Sequence, residues 1–246
     1  MKRLPSLSIF FPCYNEEGNV ERVARAALSA AKDFAGAYEI IIVDDGSSDA
    51  TGEIADRLAA EVPEVRTVHN RPNLGYGGAV ARGLHEARME WIFFTDGDGQ
   101  FDIGELPKLI SLLDVCDFAV GYRRHRADPW IRKLNAFCWG ALVRLLFGLR
   151  VRDIDCAFKL LPKSLIDQIE LHSQGALIST ELMARAHRRG LRIAEVGVSH
   201  YPRVAGKQTG ANIRVILRAF RELFRLRRDI RSEGITPATN AQERWK

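Results

Sequence analysis

This sequence predicts an α/β fold in which a mostly parallel sheet is flanked by helices. Three observations carry that expectation. Short β-branched or aromatic runs alternate with longer stretches of helical period, the pattern of repeated strand–helix–strand units. Each of the first four runs ends in polar residues unsuited to a core. The chain has 246 residues, 46% hydrophobic and 27% charged, which suits one large domain with a full core.

The elements follow in order. A strand is expected at Leu7–Phe11, after which Val20, Val23, Ala24, Ala27, Leu28 and Ala31 recur at helical spacing and form a crossover helix. A second strand at Glu39–Val43 leads into a helix near Thr51–Glu61, which Ser47, Ser48 or Asp49 can cap. Further strands are expected at Val65–His69, Trp91–Thr95 and Phe118–Val120, with helices at Gly78–Arg88 and from Gly104 to Leu113. The second half is less regular, with helices expected around Leu134–Phe147, Ser164–Ile169, Thr180–Arg189 and Ile213–Ile230. A single domain over 1–230 is expected to end in a C-terminal amphipathic helix, and 231–246 has the composition of a frayed tail.

Cys13, Cys116, Cys138 and Cys156 form no CxxC pair and no zinc-like spacing, so they read as thiols of a reducing compartment. The N-terminal run meets Tyr14, Asn15 and Glu16 too soon for a signal-peptide core, so a cytoplasmic location is expected. Charge is uneven. Residues 122–152 hold eight Lys/Arg against one acid and 201–246 eleven against four, each a net +7 within a chain of +5. Two basic segments joined to an acidic body suit phosphates or an anionic membrane. No apolar run reaches the roughly 18 residues of a spanning helix. A membrane encounter would therefore be peripheral, or use a membrane-spanning partner protein.

The strand ends carry the chemistry. Pro12, Tyr14, Asn15 and Glu16 follow the first strand, Asp44 and Asp45 the second, Asn70 and Asn73 the third, and TDGDGQFD ends the fourth. In open parallel sheets, ligands bind outside the carboxyl ends of the strands, so the four clusters converge on one crevice. Asp96, Asp98 and Gln100 alternate along a turn in which Gly97 and Gly99 give the backbone room, so that three oxygens can face one way. Hard oxygen ligands suit Mg²⁺ or Mn²⁺, which keep waters and bridge diphosphate oxygens. Asp44 is placed to accept hydrogen bonds from a ribose or base, with Asp45 beside it. NLGYGG, with Gly75, Gly77 and Gly78, is a poor dinucleotide fingerprint and reads as a tight loop whose glycines allow close approach to a ligand.

FPCYNEE, VDDGSSD, NLGYGGA and TDGDGQ, in that order, resemble glycosyltransferase family 2 with the GT-A (Rossmann-like) fold. The continuation FAVGYRR, RDIDCAFKLL and HYPRVAGKQTG is similar to its dolichyl- and polyprenyl-phosphate glycosyltransferases. The resemblance implies that Pro12, Tyr14, Glu16 and Asp44 hold the nucleoside of a nucleotide-diphosphate sugar. It implies that Asp96, Asp98 and Gln100 bind metal and diphosphate, with Asp45, Gly75 and Gly97 among the donor-side residues. Arg123 and Arg132 would receive a polyprenyl or dolichyl phosphate, and Arg203 and Lys207 would close over the donor. The chain departs from that pattern at Ala136, where a serine is common, and in GKQT after Arg203.

The acceptor decides the chemistry. A phosphomonoester, with its second pKa at roughly 6, is already a nucleophile near neutral pH and needs no general base. A sugar hydroxyl must lose a proton, and Asp153, Asp155 and Glu181 are the candidate bases. WIRKLNAFCWGALVRLLFGLR and NIRVILRAFRELFRLRRDIR interleave apolar and basic residues as interfacial helices do, near 130–150 and 212–230, which favours the lipid. A nucleotidyltransferase would show a Gly-rich loop where FPCYNEE stands. A nucleic-acid or membrane adaptor would leave the carboxylates at the strand ends unexplained, and no nucleic-acid partner is expected.

Overall fold

A computed structural model of the protein describes residues 2–124, 130–203 and 213–232, with only the backbone described at 130–138 and 213–221. Strand β1 (Leu4–Cys13) leads through α1 (Val20–Phe34) to β2 (Ala35–Asp44), then α2 (Thr51–Glu61), β3 (Val65–His69), α3 (Gly75–Glu86) and β4 (Trp91–Thr95). A 3₁₀ turn at Ile103–Glu105 precedes α4 (Leu106–Leu112), β5 (Phe118–Arg123) and α5 (Trp130–Phe147). The chain continues through β6 (Phe158–Pro162), α6 (Lys163–Ile166), α7 (Ile178–Arg188), β7 (Ile193–Val198) and α8 (Ile213–Ser232).

The seven strands form one sheet in the order β3-β2-β1-β4-β6-β5-β7. β1 pairs in parallel with β2 and β4, β2 with β3, and β5 with β7. Only β6 runs against its neighbours β4 and β5. Helices cover the parallel half, and the central parts of β1, β2 and β4 are continuous apolar runs: Ile9, Phe10, Phe11, Ile40, Ile41, Ile42, Phe93 and Phe94 are all fully buried. Helix α1 turns Val20, Val23, Ala24, Ala27 and Ala31 inward, as its periodicity predicts.

All five expected strands are present, and the mostly parallel sheet flanked by helices is borne out. Two strands were missed. β6 carries a fully buried lysine, Lys159, in a short run, and β7 is a half-buried edge strand containing Glu195 and Gly197. β6 has no β-branched residue, and in β7 Ile193, Val196 and Val198 are interleaved with Ala194, Glu195 and Gly197, which strands disfavour.

The C-terminal half of α8 is docked on the protein's own body. Leu223, Leu226 and Ile230 are buried, and Arg188 Nη2 donates to the Arg231 carbonyl, while Phe224 is exposed. In α5, Val143 is buried and Trp139, Leu142 and Phe147 pack partly against the core, whereas Leu145 is exposed. Among the described residues no helix is long and apolar enough to cross a membrane.

Candidate active site

Because β3, β2, β1 and β4 are neighbours, the polar loops that follow them lie side by side at one edge of the sheet. The first two are laced together. Asn15 adopts a left-handed conformation (φ 56°), its N–H donates to Ser47 Oγ at 3.0 Å, and its side-chain oxygen accepts from Ser48 N at 2.8 Å. Glu16 N donates to Thr51 Oγ1 at 2.8 Å, and Ala50 N to Glu17 Oε2 at 3.0 Å. Tyr14 is exposed, and Pro12 is the penultimate residue of β1, at the same edge of the sheet.

Asp44 and Asp45 are both buried but face different tasks. Asp45 Oδ1 accepts from Asn70 Nδ2 and Leu74 N, each at 2.9 Å, and its carbonyl accepts from Asn73 Nδ2 at 2.6 Å. Its carboxylate therefore fastens the third loop. Asp44 accepts from Ser47 N at 3.0 Å through one oxygen and meets His69 Nδ1 at 2.8 Å through the other, while His69 Nε2 lies 3.0 Å from Asp56. Burial works to raise the pKa of Asp44, yet the bonds from Ser47 and His69 prevail and hold it below the ordinary value.

The Asp44 contact raises the pKa of His69, against a smaller opposing effect of burial and with further help from Asp56. The imidazolium contribution to stability is thus fully present below the unfolded value of about 6.5 and is lost as pH rises through the higher folded value. NMR titration of His69 should give a midpoint above 6.5, and one at or below it would contradict the pairing. The His69→Gln variant should lack the accompanying loss of stability in that window.

The turn after β4 gathers the acidic site. Gly97 lies against β1: a Cβ there would stand 2.6 Å from Cys13 Sγ and 2.7 Å from the Pro12 carbonyl oxygen, so no side chain fits. Asp96 accepts from Tyr76 Oη at 3.0 Å. Burial, and then the charge of Asp98, push the pKa of Asp96 up to about 7. Asp98 Oδ1 accepts from Gln100 N at 3.0 Å and Oδ2 lies 2.9 Å from Arg203 Nη2. That guanidinium also reaches Gln100 Oε1 at 3.3 Å and Glu16 Oε1 at 3.5 Å. Glu16 is buried, which raises its pKa despite a bond from Asn19.

Two crowded carboxylates with a cationic group already laid against one of them are suited to a cation. Among the described residues there is no cluster of three or more His, Cys, Asp or Glu that could hold a metal by itself. A two-carboxylate set fits Mg²⁺ or Mn²⁺, whose remaining positions are filled by water and diphosphate oxygens. Gln100, the third expected ligand, is turned otherwise: its Nε2 donates to the Tyr201 carbonyl at 2.8 Å while its Oε1 faces Arg203.

The expected role of the NLGYGG glycines needs correction. At Gly77 a Cβ would stand 2.4 Å from the Gln174 backbone, and Gly77 N donates to Gln174 O at 2.9 Å; Gly75, with φ +75°, also faces Gln174 O. These glycines make room for the chain's own 173–175 segment. That segment is tied down by Glu181, which accepts from Ser173 N at 2.7 Å and His172 N at 3.1 Å and pairs with Arg185 Nη2 at 2.8 Å in a fully buried bridge.

Arg123, expected to receive the acceptor phosphate, stands at the end of β5 and is held in a fork by Asp153: Nε to Oδ2 at 2.7 Å and Nη2 to Oδ1 at 2.8 Å. Burial disfavours the guanidinium charge, but Asp153 more than restores it. Of the three candidate bases, Asp153 and Glu181 are thus buried in ion pairs and Asp155 is exposed. The side chain of Arg132, on α5, and all of Lys207 lie outside the described residues.

The model of the glycosyl transferase family 2 matches residues 8–169. The chain belongs to that family. This family 2 glycosyltransferase is 32% identical over 207 residues to glycosyltransferase AglD of Haloferax volcanii, covering 80% of this chain and 33% of that relative. It is 30% identical over 228 residues to dodecaprenyl-phosphate galacturonate synthase of Rhizobium johnstonii, covering 90% of this chain and 67% of the relative. It is 29% identical over 221 residues to dolichyl-phosphate beta-glucosyltransferase of Saccharomyces cerevisiae, covering 78% and 66%. The chain therefore spans about one third to two thirds of these relatives. Glucosyl-3-phosphoglycerate synthase from Mycobacterium tuberculosis, solved with Mn²⁺, uridine-diphosphate-glucose and phosphoglyceric acid, superposes with a TM-score of 0.67 at 19% identity, covering 92% of this chain and 79% of that one. The GT-A fold is shared.

Sequence reasoning missed two members of the site region of this family 2 chain, and the role of a third. Asp153 was weighed only as a base, though RDID following a basic strand end offers a partner for Arg123. His69 ends β3 in register with Asp44, a pairing that appears only once the strands are aligned. Tyr76 reaches Asp96 across loops 20 residues apart, and no local pattern announces that.

Proposed function

We propose that the chain transfers a single hexose, with inversion, from a nucleotide-diphosphate sugar to a polyprenyl or dolichyl phosphate at the cytoplasmic face of a membrane, with Mg²⁺ or Mn²⁺. The observation that carries the acceptor choice is the Arg123–Asp153 fork. It presents an oriented guanidinium with three of its five N–H donors outside the fork, next to a region where two of three candidate bases are already consumed. Relatives named for dodecaprenyl and dolichyl phosphates support the same class.

In this reading Asp44, Glu16, Pro12 and Tyr14 hold the nucleoside, and Asp96 and Asp98 hold the metal, which when bound stabilises charge on the departing diphosphate. Arg203 bridges Glu16, Asp98 and Gln100 and is placed to meet donor phosphates. Arg123, with Arg132, lowers the repulsion between the incoming phosphate and the diphosphate and aligns the nucleophile with the anomeric carbon. No group on the protein has to remove a proton. A donor screen with GDP-mannose, UDP-glucose and UDP-N-acetylhexosamines, using polyprenyl phosphate as acceptor, tests the proposal. Turnover with a sugar hydroxyl acceptor and none with the lipid phosphate would overturn it.

The two +7 segments lead to a second expectation for the same reading, peripheral membrane association. The purified protein should sediment with anionic vesicles at low salt and be released as salt is raised, because charges beyond about 10 Å are screened at 0.1 M. Absence of binding at low salt would favour a membrane-spanning partner or a soluble acceptor.

A further inference from the structure

Lys159 is fully buried as the second residue of β6, where the register sets it beside Phe94 of β4 and Val120 of β5. Its ammonium donates to the Ile154 carbonyl at 3.1 Å, to Ser179 Oγ at 3.2 Å and to the Cys156 carbonyl. Those bonds match the three N–H donors of a lysine, and the Phe94 ring lies beneath, its centroid 5.3 Å from Nζ. Burying a cation is costly unless it is hydrogen-bonded, and an apolar side chain of similar length would fill the same space without that cost. The charge therefore does something that packing alone does not require.

What it grips is informative. Ile154 and Cys156 flank Asp155, and Asp153, one residue earlier, holds Arg123. Ser179 lies in the first turn of α7. One ammonium thus joins the sheet, the 153–156 turn and α7, and through the turn it reaches the arginine of the acceptor side. Burial lowers the pKa of Lys159, while the nearby Cys156, Asp155, Asp153 and Asp96 oppose that effect and favour the charged form.

We propose that Lys159 is a positioning residue that clamps the 153–156 turn through the Ile154 and Cys156 carbonyls, so that Asp153 holds the Arg123 guanidinium in the orientation that receives the acceptor phosphate. The inference rests on the acceptor-side reading of Arg123 given above. Lys159 touches neither substrate and acts through two intermediaries. A misplacement of about 1 Å at a positioned group can cost on the order of a hundredfold, so the effect should be measurable in acceptor use.

The test is a double-mutant cycle in the full chain, with saturating nucleotide sugar and polyprenyl phosphate varied. Lys159→Met should raise the acceptor KM roughly tenfold to a hundredfold and leave nucleoside-diphosphate binding unchanged. In an Arg123→Gln background the same substitution should add little, because the group it positions is gone. Unchanged acceptor KM in Lys159→Met, or effects that simply multiply in the double variant, overturns the inference. If Arg123→Gln alone leaves acceptor KM at the wild-type value, the acceptor assignment fails, and the inference fails with it. Should Lys159→Met not fold, Ser179→Ala takes its place: it keeps the lysine, removes one of three acceptors, and should raise acceptor KM by about threefold to tenfold under the same criteria.

Discussion

Asp98→Asn is expected to reduce turnover by a thousandfold or more, on the order of what several kcal/mol of lost metal stabilisation gives. Asparagine has the same shape and can still accept from Gln100 N, so the turn should keep its form. What disappears is one of the two carboxylate charges proposed to hold the cation, and hard divalent ions bind weakly to a neutral amide in place of a carboxylate. Mn²⁺-dependent binding of nucleoside diphosphate should fall in parallel, while circular dichroism and the melting temperature stay near wild type. Single-turnover kinetics and a Mn²⁺ titration measure the two effects separately. Unchanged turnover would remove the metal from Asp98.

The second large effect distinguishes the acceptors. Arg123→Gln keeps a hydrogen bond available to the buried Asp153 but removes the charge, so it should chiefly raise the acceptor KM. A lost charge-assisted contact is worth about 1.5 to 3 kcal/mol, or roughly tenfold to a hundredfold. Asp155→Asn should cost far less than the hundredfold to ten-thousandfold of a missing general base. A hydroxyl acceptor reverses that order. Steady-state assays with varied acceptor, controlled by metal-dependent nucleotide binding, separate the cases. If Asp155→Asn loses about a thousandfold in kcat while Arg123→Gln stays normal, the phosphate acceptor is wrong.

The parallel half of the fold was legible because the central parts of β1, β2 and β4 are apolar and its helices amphipathic, so residues such as Ile40 and Val23 announce both element and face. Its edge was legible because polar residues at strand ends have few structural reasons to be there. The antiparallel part was not. β6 hides a buried charge whose partners are carbonyls, and carbonyls carry no sequence signal. Asp44 shows the remaining limit. Its place at a strand end could be read, but that Ser47 and His69 already occupy both its oxygens could not, since His69 comes from a strand 25 residues away. Gly75 and Gly77 of NLGYGG read as space for a ligand because sequence does not say what fills a gap, and 173–175 does.

The reversed direction of β6 has a consequence for how such a protein can diversify. β1 and β4 leave the sheet at its carboxyl edge, and so does β5, while β6 enters at that edge because it runs the other way. The chain between β5 and β6, 124–157, therefore starts and finishes at that same edge. If its length and composition change, the loops after β1 through β4, proposed above as the donor side, keep the bonds they make to one another. Grafting a relative's segment onto positions 124–157 should alter which acceptor is taken and leave nucleotide preference where it was.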